Sequence, residues 1–193
     1  MKGDMILDLN STIEKCKQGD TEAFRELFSY IESKALGTAY LISGKRGLAE
    51  DIVQETYVTC MEQINSLKSP DAFNVWFYRT LTRIGWKMVK HYSKFIPEEE
   101  VLNTSYVNDI EEQVQRSITY NLLHDSINEL SDNLKTVIIL FYFNGMSIEE
   151  IAEITVTLKA TVKTRLYYAR SLLHKKLGSI MEDGLKSEKL NRA

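Results

Sequence analysis

The sequence predicts an all-α protein of two small helical domains joined by a flexible acidic linker, the second domain containing a helix-turn-helix. Three observations predict this. Only 2 prolines and 9 glycines occur among 193 residues, so few positions interrupt a helix. Apolar residues recur at three- and four-residue spacing through both halves. Charge is segregated along the chain. Arg79, Arg83, Lys87, Lys90 and Lys94 occur without an acid between them, as do Lys159, Lys163, Arg165, Arg170, Lys175 and Lys176. Between these runs, Glu98, Glu99, Glu100, Asp109, Glu111 and Glu112 occur without a base. The reading divides the chain into domains at 1–94 and 116–180, a linker at 95–115 and a polar tail at 181–193.

The elements follow in order. A short helix covers Leu9 to Lys17 and ends at Gly19. A second starts near Thr21, with Phe24, Leu27, Phe28, Ile31, Ala35, Ala39 and Ile42 at helical spacing, and stops at S-G-K-R-G, a loop by composition. A third runs from Ala49 to Leu67 with Ile52, Val53, Thr56, Tyr57, Cys60, Met61 and Ile64 on its apolar face. Ser69-Pro70 opens a fourth, to Lys94, whose buried stripe is Phe73, Phe77, Leu81, Ile84, Met88 and Tyr92. The second domain begins near Arg116 with Ile118, Leu122, Leu123, Ile127 and Leu130. Ser131 caps a helix holding Val137 to Phe141, which ends at Asn144-Gly145. Ser147 and Glu150 form an S-x-x-E capping box for a short helix to Ile154, and a longer helix runs from Leu158 to Leu177. The tail from Glu182 reads as polar and frayed.

Several function classes are excluded. The opening M-K-G-D-M-I-L-D-L-N has no signal-peptide core, and the longest strongly apolar run, Val137 to Phe143, falls far short of the ~20 residues a membrane span needs. Two cysteines, Cys16 and Cys60, make neither a disulfide framework nor a zinc site, so a cytoplasmic protein with reduced thiols is expected. A net charge of −3 argues against strong binding to free DNA, since the acids offset the phosphate-neutralising bases. No cofactor or small-molecule substrate is expected.

Three stretches carry recognition chemistry. From Ser147 to Leu177 the plan is a short capped helix, a tight turn and a basic helix. Ile148, Ile151 and Ala152 should pack on Val162, Leu166, Ala169 and Leu173, leaving Lys159, Lys163, Thr164, Tyr167 and Arg170 outward, where such a helix meets base edges and phosphates. On the fourth helix, Arg79, Arg83, Lys87, Lys90 and Lys94 share one face, flanked by Trp76 and Trp86. Bases beside aromatic platforms suit unstacked single-stranded DNA. On the third, Asp51, Gln54 and Glu55 form an acidic patch opposite the apolar face. Taken alone, that patch reads as an ordinary solvated helix face. Asp51 and Glu55 with Glu22 and Glu26 also offer a carboxylate metal site, but His91, His124 and His174 supply no matching set, so no metal is expected.

These stretches, in this order, resemble the extracytoplasmic-function sigma factors. The quoted G-D-T-E-A-F-R-E-L-F, A-E-D-I-V-Q-E-T and W-F-Y-R-T-L-T-R-I-G-W-K-M-V-K-H-Y look like region two, and the stretch from L-S-D-N-L-K-T to A-R-S-L-L looks like region four. The resemblance implies that Asp51, Gln54 and Glu55 dock on core RNA polymerase, on the β′ coiled coil, with the β subunit also a partner. It implies that Trp76, Arg79, Arg83, Trp86, Lys87 and Lys90 serve the minus-ten element, with the loop from Asn65 to Ala72. It implies that Lys159, Lys163, Thr164, Tyr167, Tyr168 and Arg170 read the minus-thirty-five element of promoter DNA. It further implies an anti-sigma factor, often membrane-bound, and no catalytic residue. The chain departs from the family pattern at Thr155-Val156-Thr157-Leu158, where Leu-Gly-Ile-Ser is usual, and at Arg83 and Tyr168. A β-branched valine is costly where a turn needs positive φ, and Thr157 offers a cap one residue later. The competing readings are a stand-alone helix-turn-helix regulator, a carboxylate metal enzyme, and a polymerase-binding protein that no longer recognises promoters.

Overall fold

The computed structural model describes residues 8–94 and 125–190, with side chains through Gly178. Among the described residues every regular element is helical. α1 is Leu9–Lys17, α2 Thr21–Ser43, α3 Arg46–Gln63, α4 Phe73–Tyr92, α5 Asp132–Ile138, α6 Ile148–Thr155 and α7 Lys159–Leu190. None of them is long and apolar enough to cross a membrane.

Local chemistry sets the ends. Asp8 accepts from the Ser11 N–H at the start of α1, and Asp20 accepts from Glu22 and Ala23 at the start of α2. Gly44, at φ 69°, closes α2 with its N–H on the Tyr40 carbonyl. α3 begins at Arg46, three residues before the expected Ala49. The chain turns within Gly44-Lys45, and Gly47 sits in the first helical turn, which the Arg46–Glu50 pair at 3.0 Å braces. The end of α3 tightens into a 3₁₀ turn at Ile64–Ser66, and Pro70–Ala72 forms another before α4.

Aromatic rings fill the first core. Phe28 stacks on Tyr57 at 4.0 Å, and Phe73, Phe77 and Tyr78 continue the cluster at 5.7 and 5.3 Å. Phe73 and Phe77 are fully buried, and removing either ring should cost roughly 3–5 kcal/mol. Gly85 lets α4 cross α2 closely; a Cβ there would lie 3.2 Å from Ile42 Cγ2. Met61 and Tyr92, expected to face inward, are instead exposed at 47% and 37%.

The apolar run of the second half starts as α5 and widens into a π turn over Ile139–Phe143, with the Asn144 N–H on the Ile139 carbonyl. Widening turns Tyr142 and Phe143 outward while Val137, Ile139 and Leu140 stay buried. α6 has the complete Ser147–Glu150 capping box. The expected helix end near Leu177 and frayed tail from Glu182 are replaced by helical backbone through Leu190. No proline interrupts that stretch, and propagating a formed helix costs little. Buried residues of both halves form one contiguous core. The expected linker at 95–115, and Ile118, Leu122 and Leu123, lie outside the described residues.

Candidate nucleic-acid and partner interface

The helix-turn-helix forms as its sequence pattern requires. Ile151, Ala152, Val162, Leu166 and Ala169 are buried, with Ile148 and Leu173 packed at the margin. Between the helices Val156 takes the left-handed conformation, φ 51° and ψ 52°, with its side chain 81% exposed. A valine there carries strain that glycine would not. The Thr157 N–H bonds the Ala152 carbonyl and the Thr155 and Thr157 hydroxyls share a bond of 2.9 Å, so the turn is closed by hydrogen bonds in spite of the valine.

α7 presents a continuous polar face. Lys159, Lys163, Thr164, Tyr167, Tyr168 and Arg170 are all exposed. Lys159 pairs with Glu149 of α6 at 2.8 Å, and this hydrogen bond holds the Glu149 carboxyl below its usual range. Thr164 donates to the Ala160 carbonyl, so its oxygen lone pairs and methyl remain on the surface. Tyr167 and Tyr168 meet edge to face at 5.6 Å, a rigid aromatic step along the helix. Arg170 lies over Phe141 at 5.6 Å and Tyr142 at 5.7 Å, so these rings orient its guanidinium.

The basic residues of α4 divide. Arg83 and Lys87 are exposed. Arg79 donates to the Glu153 carbonyl at 2.6 Å, Trp86 Nε1 donates to Thr136 Oγ1 at 2.8 Å, and Lys90 pairs with Asp132 at 3.5 Å. Those three partners all belong to the second half. Trp76 is half-buried against Phe73, with ring centres 6.2 Å apart.

On α3, Asp51, Gln54 and Glu55 are exposed together, as expected. Val58 and Met61 join them, 51% and 47% exposed, which the sequence reading missed. Their signal was present, because each lies seven residues after a member of the acidic patch. Along the helix the face is therefore acidic toward its N-terminal end and apolar toward its C-terminal end. Among the described residues no group of three or more His, Cys, Asp or Glu side chains comes together, so Asp51, Glu55, Glu22 and Glu26 do not converge.

An exposed basic helix in a helix-turn-helix, a second basic helix and a separate acidic-apolar face define an all-helical helix-turn-helix protein with three chemically distinct faces. A family profile described as "Sigma-70, region 4" matches residues 120–173. The chain is 29% identical over 182 residues to the ECF RNA polymerase sigma-E factor of Haemophilus influenzae, spanning 88% of this chain and 95% of that one. It is 32% identical over 125 residues to RNA polymerase sigma factor SigV of Bacillus subtilis, spanning 65% and 73% respectively. Its fold is similar to CnrH, solved in complex with the cytosolic domain of CnrY (TM-score 0.67, 20% identity, 89% of this chain and 99% of that one). It is similar also to the sigma factor RpoE in complex with the anti-sigma factor NepR from Bartonella quintana (TM-score 0.66, 22% identity, 82% and 98%). The chain belongs to the extracytoplasmic-function RNA polymerase sigma factors.

Proposed function

We propose a division of labour among the surfaces of this sigma factor, which binds core RNA polymerase and directs promoter-specific initiation of transcription. The observation that carries the reading is likeness at near full length. The match of 182 residues runs through both basic helices and the α3 face, and the fold keeps the recognition helix exposed.

The α3 face of Asp51, Gln54, Glu55, Val58 and Met61 docks on core polymerase. Its apolar C-terminal part supplies burial, and its acidic N-terminal part supplies orientation against a basic partner. Trp76, Arg79, Arg83, Trp86, Lys87 and Lys90 hold the opened minus-ten element, the bases contacting phosphates and the indoles stacking on nucleobases. Lys159, Lys163, Thr164, Tyr167, Tyr168 and Arg170 lie along the major groove at the minus-thirty-five element. The protein catalyses nothing itself, uses no cofactor or small-molecule substrate, and works in the cytoplasm. An anti-sigma factor restrains it, as NepR partners the structurally similar RpoE.

The test is transcription by purified core polymerase on a library of random promoters. Added chain should produce discrete new transcripts. Asp51→Arg with Glu55→Arg should abolish core binding with the fold intact. Lys163→Ala should leave core binding unchanged and lower the salt slope of promoter binding by about 1. A chain that never shifts core polymerase on a native gel refutes the reading.

A further inference from the structure

The outward side of α7 divides into two strips of different chemistry. Lys159, Lys163 and Arg170, spaced 4 and 7 residues apart, share one flank. Ala160, Thr164 and Tyr167, spaced 4 and 3 apart, form the centre, opposite the buried Val162, Leu166 and Ala169. None of the three central side chains belongs to the core, and the Tyr167 ring is 68% exposed. By contrast, a side chain committed to the fold is covered: Lys135 is 5% exposed and donates to the Ile42 carbonyl of α2 at 3.2 Å. The central strip also has few polar groups to offer. Thr164 spends its hydroxyl hydrogen on the Ala160 carbonyl at 3.0 Å, which leaves a methyl and oxygen lone pairs. Ala160 adds a second methyl. The edge-to-face contact with Tyr168, at 5.6 Å, sets the tilt of the Tyr167 ring. On the flank, Glu149 holds Lys159 at 2.8 Å, and the Phe141 and Tyr142 rings hold Arg170.

We propose that α7 reads its promoter element chiefly through thymine 5-methyl groups, which Ala160, the Thr164 methyl and the Tyr167 ring cover, while the cationic flank engages phosphates. This deepens the minus-thirty-five role given above and rests on it. Ala160 thereby joins the recognition residues. The chemistry of the groove supports the assignment. A helix laid in the major groove turns the face opposite its own core toward the base edges. The C5-methyl of thymine is the one apolar group that unmodified bases present there. Discrimination by donors needs a side chain such as Asn, Gln or Arg at the centre of the face, and none of these stands at 160, 164 or 167. Alanine, a threonine methyl and an aromatic ring are the groups that cover a methyl. From residue 160 to residue 167 the helix rises roughly 10 Å, about three base-pair steps of ~3.4 Å. The contacted thymines therefore fall within a window of about four base pairs, on either strand.

The experiment uses core polymerase loaded with the full chain, on promoters from the transcription library with only the upstream element randomised again. Bound DNA should be enriched in thymines clustered within that window. Each enriched thymine is then replaced by deoxyuridine, which removes the methyl and nothing else. Two or three positions should each lose about 4-fold in affinity, the worth of one methyl taken from water. Thr164→Ser keeps the hydroxyl and removes the side-chain methyl. It should bind the thymine and deoxyuridine forms of one position equally, with the other positions unchanged. Tyr167→Ala should do the same at a neighbouring position, and Tyr167→Phe should keep the preference. Each ratio is taken within one protein, so any effect of the variant on folding or core binding cancels. Methyl readout alone is overturned by enriched elements without thymine, by deoxyuridine that leaves binding unchanged at every position, or by a preference that survives both Thr164→Ser and Tyr167→Ala. A loaded polymerase that enriches no element refutes the minus-thirty-five role itself, and methyl readout with it.

Discussion

Replacing Lys135 by methionine should change how stability depends on pH more than it changes stability at neutrality. Burial pushes the Lys135 ammonium from 10.5 down to about 8, only partly offset by Asp132. The unfolded chain therefore holds this proton more tightly than the folded one. Stability from this group is fully present above pH 10.5 and is lost as pH falls through about 8. The whole effect is worth about 3 kcal/mol, of which about 1.4 kcal/mol falls between pH 7 and pH 9. Burial also raises the Cys16 and Cys60 thiols to about 11 and about 12, which lowers stability as pH rises through the unfolded thiol range. Those contributions are common to both proteins and cancel in the difference. Methionine keeps the volume of the lysine stem and removes the titration. Urea unfolding of wild type and Lys135→Met at pH 7 and pH 9 gives that difference, and wild type should gain about 1.4 kcal/mol relative to the variant. A difference that does not change with pH would mean that Lys135 is hydrated in solution, and the buried bridge to Ile42 would be refuted.

Val156→Gly should stabilise the protein by about 1 kcal/mol, because relief of left-handed strain exceeds the added freedom of the unfolded chain; a melting temperature raised by ~2–4 °C checks it. Ser147→Ala should cost about 1 kcal/mol through loss of the hydroxyl that accepts from the Glu150 N–H, while the backbone N–H at 147 still donates to the Glu150 carboxylate; thermal melting at fixed pH reads it. Cys16 and Cys60 should resist a disulfide reagent at pH 8 in the native protein and react fully in urea, since both are buried with raised thiol values. Rapid native labelling would show that α1 or α3 opens readily.

Much of this architecture is legible because its signals are local. The bounds of α1 and α2 follow from Asp8, Asp20 and the Gly44 turn, and the capping box at Ser147 marks α6 to the residue. The inward and outward faces of the helix-turn-helix follow from periodicity alone, since Ile151, Val162, Leu166 and Ala169 recur at helical spacing. What periodicity does not give is the partner of each face. Met61 continues an apolar stripe yet is exposed, because α2 and α4 cover only the side holding Ile52, Val53 and Cys60. Lys135 stands three and four residues before Ile138 and Ile139, which places it on an inward face, but no local pattern names its acceptor 93 residues earlier. The fate of Arg79, Trp86 and Lys90 was hidden for the same reason. Each lies on a stripe that solvent, DNA or the rest of the chain can cover equally well, and only long-range packing selects among them.

That selection accounts for how an acidic protein can carry two basic faces. With a net charge of −3, the chain gains little from diffuse attraction to phosphate, so its bases act only where they are concentrated. On α7 the positive face stays exposed, though Glu149 pairs with its leading lysine. On α4 a carbonyl and a carboxylate of the second half take up Arg79 and Lys90. If α4 contacts phosphates as proposed, having these two cations engaged within the chain leaves about two fewer counterions to release on binding, and so a weaker sequence-independent attraction at physiological salt.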